Sequence, residues 1–273
     1  MTMALQGKVA FITGGARGLG KAFAEALLDR GAKVSLVDII VQVGKETEKE
    51  LKNKYGADRV IFSKCDVSKL EDLRACYKRT VDTFGGLDIV INNAGIADEI
   101  EFERMIDINL TAIIRSSYMA CNLMEKQKGG RGGIIINISS ASGLFPSPHA
   151  LAYTGVKHGV VGFSRALAIN LRNTDKFGIR VATLCPAFTD TIMGNTKTVD
   201  LSQLREADIT MPDFEQSVKD AFTNKMKLGI MNIQKVVDGM LQLVFEPECN
   251  GAVLSVSPIA TQYFFPKRLA NKL

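Results

Sequence analysis

Short apolar runs alternate along the chain with longer stretches in which apolar residues recur every three or four positions. The runs at 8–13, 33–37, 59–64, 87–91, 133–138, 179–185 and 252–256 suit strands buried on both faces of a parallel sheet. Between them lie helical stretches near 18–30, 41–54, 70–84, 101–127, 153–173 and 232–245. In the first, Phe23, Ala24, Leu27 and Leu28 form the apolar stripe, and Gly31 stops the helix. This alternation predicts an α/β fold: one doubly wound parallel sheet of about seven strands with helices on both faces. No proline-rich linker, composition break or internal repeat divides the 273 residues, so one domain spanning 1–273 is expected.

Composition narrows the function classes. The chain is 46% hydrophobic and 23% charged, with a net charge of +5 spread among acids, as in Lys45-Glu46-Thr47-Glu48-Lys49-Glu50. Such a mixed run is a solvated helix face, and no basic stripe with interleaved aromatics points to nucleic acid. There is no 18-residue apolar stretch and no signal-peptide pattern, so a cytoplasmic protein without a membrane span is expected. Five cysteines (Cys65, Cys76, Cys121, Cys185, Cys249) without Cys-x-x-Cys spacing argue against zinc and against a disulfide framework. No metal site is expected. Cys65 and Cys185 fall in strand patterns and read as core residues. The terminal Asn271-Lys272-Leu273 is one letter from the peroxisomal Ser-Lys-Leu address, and a chance tail is the simpler reading.

The first strand runs straight into Gly14-Gly15-Ala16-Arg17-Gly18-Leu19-Gly20 and then a helix. A strand, a glycine turn and a helix N-terminus form a pyrophosphate site: outward N–H groups and the helix dipole favour negative charge. The second strand ends in Asp38, whose carboxylate suits both hydroxyls of an adenosine ribose and repels a 2′-phosphate. Arg17 could pair with such a phosphate, but Ile39 and Ile40 follow Asp38 and bring no further cation. NAD rather than NADP is therefore expected.

Downstream, Tyr153 and Lys157 stand four apart in Tyr-Thr-Gly-Val-Lys, and Ser140 lies thirteen residues before the tyrosine. On a helix the phenol and the ammonium would share a face. A neighbouring cation favours the phenolate and would lower the tyrosine pKa from about 10. The serine hydroxyl could hold an alcohol oxygen where its proton leaves. Tyr-x-x-x-Lys alone is a common pattern; the glycine turn upstream gives it meaning.

Together these residues resemble the short-chain dehydrogenase/reductase family over almost the whole chain. The family pattern T-G-x-x-x-G-x-G matches Thr13 to Gly20, its Asp-Val pair matches Asp66-Val67, and its N-N-A-G segment is Asn92-Asn93-Ala94-Gly95. Its catalytic asparagine matches Asn109 and its Ser–Tyr–Lys set matches Ser140, Tyr153 and Lys157. Within the family, Gly132 to Asn137 and Lys157 to Phe163 are most similar to a branch that oxidises hydroxyprostaglandins with NAD; the fly-type alcohol dehydrogenases are a weaker similarity.

The resemblance implies a Rossmann-like fold and a set of roles. Tyr153 is the general base, Lys157 depresses its pKa and binds the nicotinamide ribose, Ser140 polarises the substrate oxygen, and Asn109 holds a water linking Lys157 to solvent. Cofactor contacts are implied at Gly14, Arg17, Gly18, Leu19 and Gly20, and at Asp38 and Ile39. They continue at Cys65, Asp66 and Val67, at Asn93, Ala94 and Gly95, and at Tyr153, Lys157, Pro186, Thr189 and Thr191. Ser139 is the rival to Ser140. Two departures stand out: the family's Pro-Gly pair is Pro186-Ala187, and the prostaglandin branch's substrate-binding glutamine is replaced by Ala150. Family members dimerise or tetramerise through the helices at 101–127 and 153–173, where Ala166, Leu167, Ala168 and Leu171 allow close packing.

Residues 189–232 are the least patterned and carry Ile192, Met193, Leu201, Leu204, Met211, Phe214, Phe222, Met226, Leu228 and Met231. Placed beyond the strand ends, they read as an apolar lid that excludes water. The expected substrate is a hydrophobic secondary alcohol or its ketone: a hydroxy fatty acid, prostaglandin-like lipid, steroid or terpenoid.

Overall fold

β1 (Val9–Thr13) is buried along its whole length, which places it in the middle of the sheet. The computed structural model describes residues 4–173, 175–189, 216 and 230–265. β1 pairs in parallel with β2 (Lys33–Asp38) on one side and β4 (Ile89–Asn92) on the other. β3 (Val60–Lys64) extends the sheet beyond β2; β5 (Gly133–Ile138), β6 (Ile179–Pro186) and β7 (Val253–Val256) extend it beyond β4. All seven expected strands form, in the order β3-β2-β1-β4-β5-β6-β7, and β8 closes the series. The order reverses between β1 and β4, so a crevice opens at their C-terminal ends.

The eighth strand, β8 (Thr261–Phe265), adds to the expected set and returns antiparallel on β7. It lies on the sheet edge with three of its five residues exposed, so it lacks the continuous apolar run that marks the others.

Alternate residues of each strand feed two cores. Ala10 and Ile12 pack with Phe23 and Leu27 of α1 (Gly18–Leu28), Leu51 of α2 (Val41–Tyr55), and Val236 and Met240 of α7 (Ile233–Phe245). Phe11 points the other way, stacked 4.0 Å from the Tyr77 ring of α3 (Leu70–Phe84). Met124 of α5 (Ala112–Met124) and Leu167 of α6 (Leu151–Asn170) complete that second core.

The helix expected over 101–127 is interrupted. α4 (Phe102–Ile106) passes into a π-helical turn at Asp107–Thr111 before α5 begins. The widened turn accommodates Asn109, which is fully buried with its side chain bonded to a neighbouring loop. The four residues expected to pack helices between subunits also divide. Leu167, Ala168 and Leu171 are buried inside this chain's own second core because they face the sheet, and Ala166 alone is exposed. Among the described residues, no helix is long and apolar enough to cross a membrane.

Candidate active site

The glycine turn joins β1 to α1 at the switch point. A Cβ on Gly20 would sit 2.0 Å from the Gly14 carbonyl oxygen, so only glycine lets the helix start this close to the turn. α1 is capped by exposed Arg17, has no side-chain cap and carries no acid in its first turn. The N–H groups of Gly18, Leu19 and Gly20 are thus left for an anion. Asn93 fastens the turn from β4: its Nδ2 donates to the carbonyls of Thr13 (3.0 Å) and Gly14 (3.2 Å). Thr13 Oγ1 accepts the N–H groups of Asn93 and Ala94, a supporting role that its place at a strand end does not advertise.

Asp38 lies at the C-terminal end of β2. One carboxylate oxygen accepts the Ala16 N–H and the other the Ile40 N–H, both at 3.0 Å. Each oxygen keeps a lone pair for another donor, and the carboxylate is aimed by two amides. Ile39 beside it is 53% exposed. Cys65 is tied to this end by its N–H bond to the Asp38 carbonyl, and Asp66 accepts the Ser68 N–H and hydroxyl. Val67 is buried next to them. An oriented carboxylate, an open apolar surface and an uncapped helix N-terminus fit a dinucleotide with free ribose hydroxyls.

The second half of the site stands on β5, α5 and α6. Ser140 follows β5 and accepts the Ser142 N–H at 3.2 Å. Its hydroxyl is near enough to the Tyr153 phenol to favour the phenolate. Lys157 lies one turn beyond Tyr153, its ammonium 5.5 Å from the centre of the tyrosine ring. That ammonium is buried and donates to the Ile138 carbonyl at 3.1 Å. The Ser139 hydroxyl is used elsewhere: it donates to the Lys157 carbonyl at 2.9 Å and so braces α6. Asn109 clamps Ile96 by its backbone, accepting the N–H at 2.8 Å and donating to the carbonyl at 2.7 Å. Gly95 fits between these groups: a Cβ there would meet Asn109 Oδ1 at 3.1 Å and Lys157 Nζ at 3.8 Å.

Electrostatics departs from the expectation of an acidic phenol. Burial pushes Tyr153 up to about 12, and the nearby Ser140 hydroxyl offsets only part of that. Burial pulls Lys157 down to about 8. Loss of water penalises both charged forms and is the largest cause of each shift. Cys185 of β6 is a further neighbour, acting on both groups, with its own thiol pushed up to about 12 by burial. Its strand position gave it a core reading; its contact with the site depends on the β5–β6 register.

Pro186 ends β6, and Thr189 forms a parallel bridge with Met231. Its hydroxyl donates to the Ala187 carbonyl at 2.8 Å. The two ends of the expected lid therefore meet beside the site. Thr191, the other lid residues named above and Asn271-Lys272-Leu273 lie outside the described residues. Glu99 was not singled out from the sequence, yet its carboxylate accepts the N–H groups of Ala152 and Tyr153.

The family model described as short chain dehydrogenase matches residues 8–201. The chain is 38% identical to the NAD(+) 15-hydroxyprostaglandin dehydrogenase of Homo sapiens, over 93% of this chain and 92% of that protein. It is 35% identical to 3beta-hydroxysteroid dehydrogenase 2 of Eggerthella lenta, over 70% of this chain and 74% of that protein. Among solved structures it resembles levodione reductase with a TM-score of 0.77 at 24% identity, covering 93% of this chain and 97% of the other.

Proposed function

Because the chain belongs to the short-chain dehydrogenase family, we propose that it oxidises a hydrophobic secondary alcohol to the ketone with NAD. The observation that carries this reading is the Tyr153 phenol, with the Ser140 hydroxyl near it and the Lys157 ammonium 5.5 Å from its ring, at the strand ends beside the glycine turn. NAD, when bound, supplies the hydride acceptor. Gly14, Arg17, Gly18, Leu19 and Gly20 hold its pyrophosphate, and Asp38 takes the adenosine ribose hydroxyls. Ile39, Cys65, Asp66 and Val67 flank the adenine. Asn93, Ala94, Gly95, Pro186 and Thr189 line the nicotinamide end.

Ser140 orients the alcohol oxygen, and Tyr153 removes its proton as phenolate. Lys157 holds the nicotinamide ribose and, with a pKa near working pH, passes the proton on towards the region of Asn109. The whole of 1–273 acts as one catalytic domain. The 38% identity to a hydroxyprostaglandin dehydrogenase supports a lipid-like substrate, and the hydroxysteroid dehydrogenase relative widens the range to steroids. Ala150 leaves no polar side chain three residues before the tyrosine, which favours apolar substrates there. Tyr118, exposed on α5 against Phe163 of α6, supports a homodimer or homotetramer, and a cytoplasmic location fits the free cysteines.

One observation also favours the opposite direction: the protonated phenol held by burial is the form that donates to a ketone. The test is a panel of hydroxy-eicosanoids, steroids, terpenoids and short alkanols, followed by NADH absorbance, with the matching ketones assayed in reverse. Turnover of hydrophobic secondary alcohols is expected. Turnover of short alkanols alone would overturn the substrate reading, and faster ketone reduction with NADPH would overturn both direction and cofactor.

A further inference from the structure

α6 begins without a cap of its own. Its N-cap residue is Ala150, whose methyl group cannot accept a hydrogen bond. The N–H groups of Ala152 and Tyr153 are the second and third of the helix, those an N-cap side chain ordinarily takes. Here they go to a residue more than fifty positions away: Ala152 donates to Glu99 Oε2 and Tyr153 to Glu99 Oε1, each at 2.9 Å. A bidentate carboxylate at a helix N-terminus also suits the helix dipole.

Glu99 is itself held. It lies in the loop after β4, where Asp98 Oδ1 accepts the N–H groups of Ile100 and Glu101 at 3.0 Å. Three residues before Glu99, Ile96 is clamped by both polar atoms of the Asn109 side chain. The chain of contacts runs from Asn109 through the loop to the backbone of Tyr153, joining two residues of the site without passing through their reactive atoms.

We propose that Glu99 is the positioning residue for Tyr153: by binding the first-turn N–H groups of α6 it sets where the phenol stands relative to Ser140. This rests on the reading of Tyr153 as the proton-transfer residue. The fold would tolerate solvent on these two amides, but the phenol works only at hydrogen-bond distance from the alcohol oxygen. Displacing a reacting group by about 1 Å can cost about 100-fold in rate.

The experiment compares Glu99→Ala and Glu99→Gln with the wild type and with Tyr153→Phe, using NAD and the panel alcohol turned over fastest. For Glu99→Ala, kcat is expected to fall by about 100-fold while KM and the fluorescence-titrated affinity for NADH stay within about twofold. Glu99→Gln keeps one acceptor and is expected to fall between. The apparent pKa of oxidation should rise in Glu99→Ala, since a displaced phenol loses the nearby Ser140 hydroxyl that lowers its pKa; a cap serving stability alone would leave the profile in place. A lower melting temperature with kcat and pH profile unchanged overturns the proposal, as does a kcat loss matched by a loss of NADH affinity. Should Tyr153→Phe keep full turnover, the reading of the site fails instead, which separates the two failures.

Discussion

The ammonium of Lys157 lies 5.5 Å from the centre of the Tyr153 ring, and burial moves the two groups in opposite senses. Tyr153 is pushed up to about 12 and Lys157 down to about 8, so at pH 7 the phenol is held protonated and the buried ammonium lies within about a unit of losing its proton. Proton transfer here depends on how pH populates the phenolate and on how the protein tolerates a buried amine.

Oxidation requires the phenolate, whose fraction grows with pH below the Tyr153 pKa. The initial rate of alcohol oxidation is therefore expected to climb from pH 7 to pH 10, by up to about tenfold per unit while proton transfer limits. Ketone reduction uses the protonated phenol and should not gain from rising pH. Initial rates in both directions across this range check the pair of slopes; a flat oxidation profile would remove Tyr153 as the titrating group.

The buried amine has a stability signature. Its folded pKa of about 8 lies below its ordinary 10.5, so between these values the unfolded chain binds the extra proton. Its contribution to stability therefore rises with pH over that window, and at pH 7 the folded state carries the cost of a buried charge. Lys157→Met is expected to be inactive yet to melt roughly 5 °C higher than wild type at pH 7, with the gap closing by about pH 10.5. Thermal melts at both pH values decide it. A variant that melts lower at pH 7, or a gap independent of pH, would contradict the burial effect.

Most of this architecture is legible in the residue order. β1, β2, β4, β5 and β6 are continuous apolar runs because helices cover both their faces, and periodicity sees that directly. β8 has no such cover, so nothing in Thr261–Phe265 marks it beyond its pairing with β7. The π turn at Asn109 was hidden because it follows from a tertiary bond to Ile96 within an unbroken helical pattern. Glu99 escaped for a related reason: a cap supplied across 53 and 54 residues leaves only a faint local trace, a helix starting at Leu151 with apolar Ala150 in the cap position. Lys157's effect on the phenol was overestimated because residue spacing reports neighbours and says nothing of burial depth.

Asp38 offers a test of the cofactor. Asp38→Ala removes the acceptor of the ribose hydroxyls and the orienting bonds to Ala16 and Ile40. Hydrogen bonds to a charged group contribute about 1.5–3 kcal/mol, so NADH affinity is expected to fall about 10- to 100-fold. NADPH affinity should hold or improve as the repelling charge is removed. Fluorescence titration with both nucleotides reads this; wild-type protein that prefers NADPH would exclude the role given to Asp38.

Gly20→Ala probes the pyrophosphate turn. Its new methyl group would lie 2.0 Å from the Gly14 carbonyl oxygen, forcing α1 away from the turn. NADH affinity is expected to drop by about tenfold or more, since the first-turn N–H groups no longer converge on one anion. Unchanged affinity in a folded variant would place the phosphates elsewhere.

The most direct measurement is turnover of Tyr153→Phe with NAD and the best panel alcohol, alongside NADH titration of the same preparation. Removing the hydroxyl keeps the ring in place beside Lys157 while deleting the atom that takes the proton. The expected result is a loss of about 10²- to 10⁴-fold in kcat with NADH affinity retained. Wild-type turnover by this variant would contradict proton transfer through Tyr153.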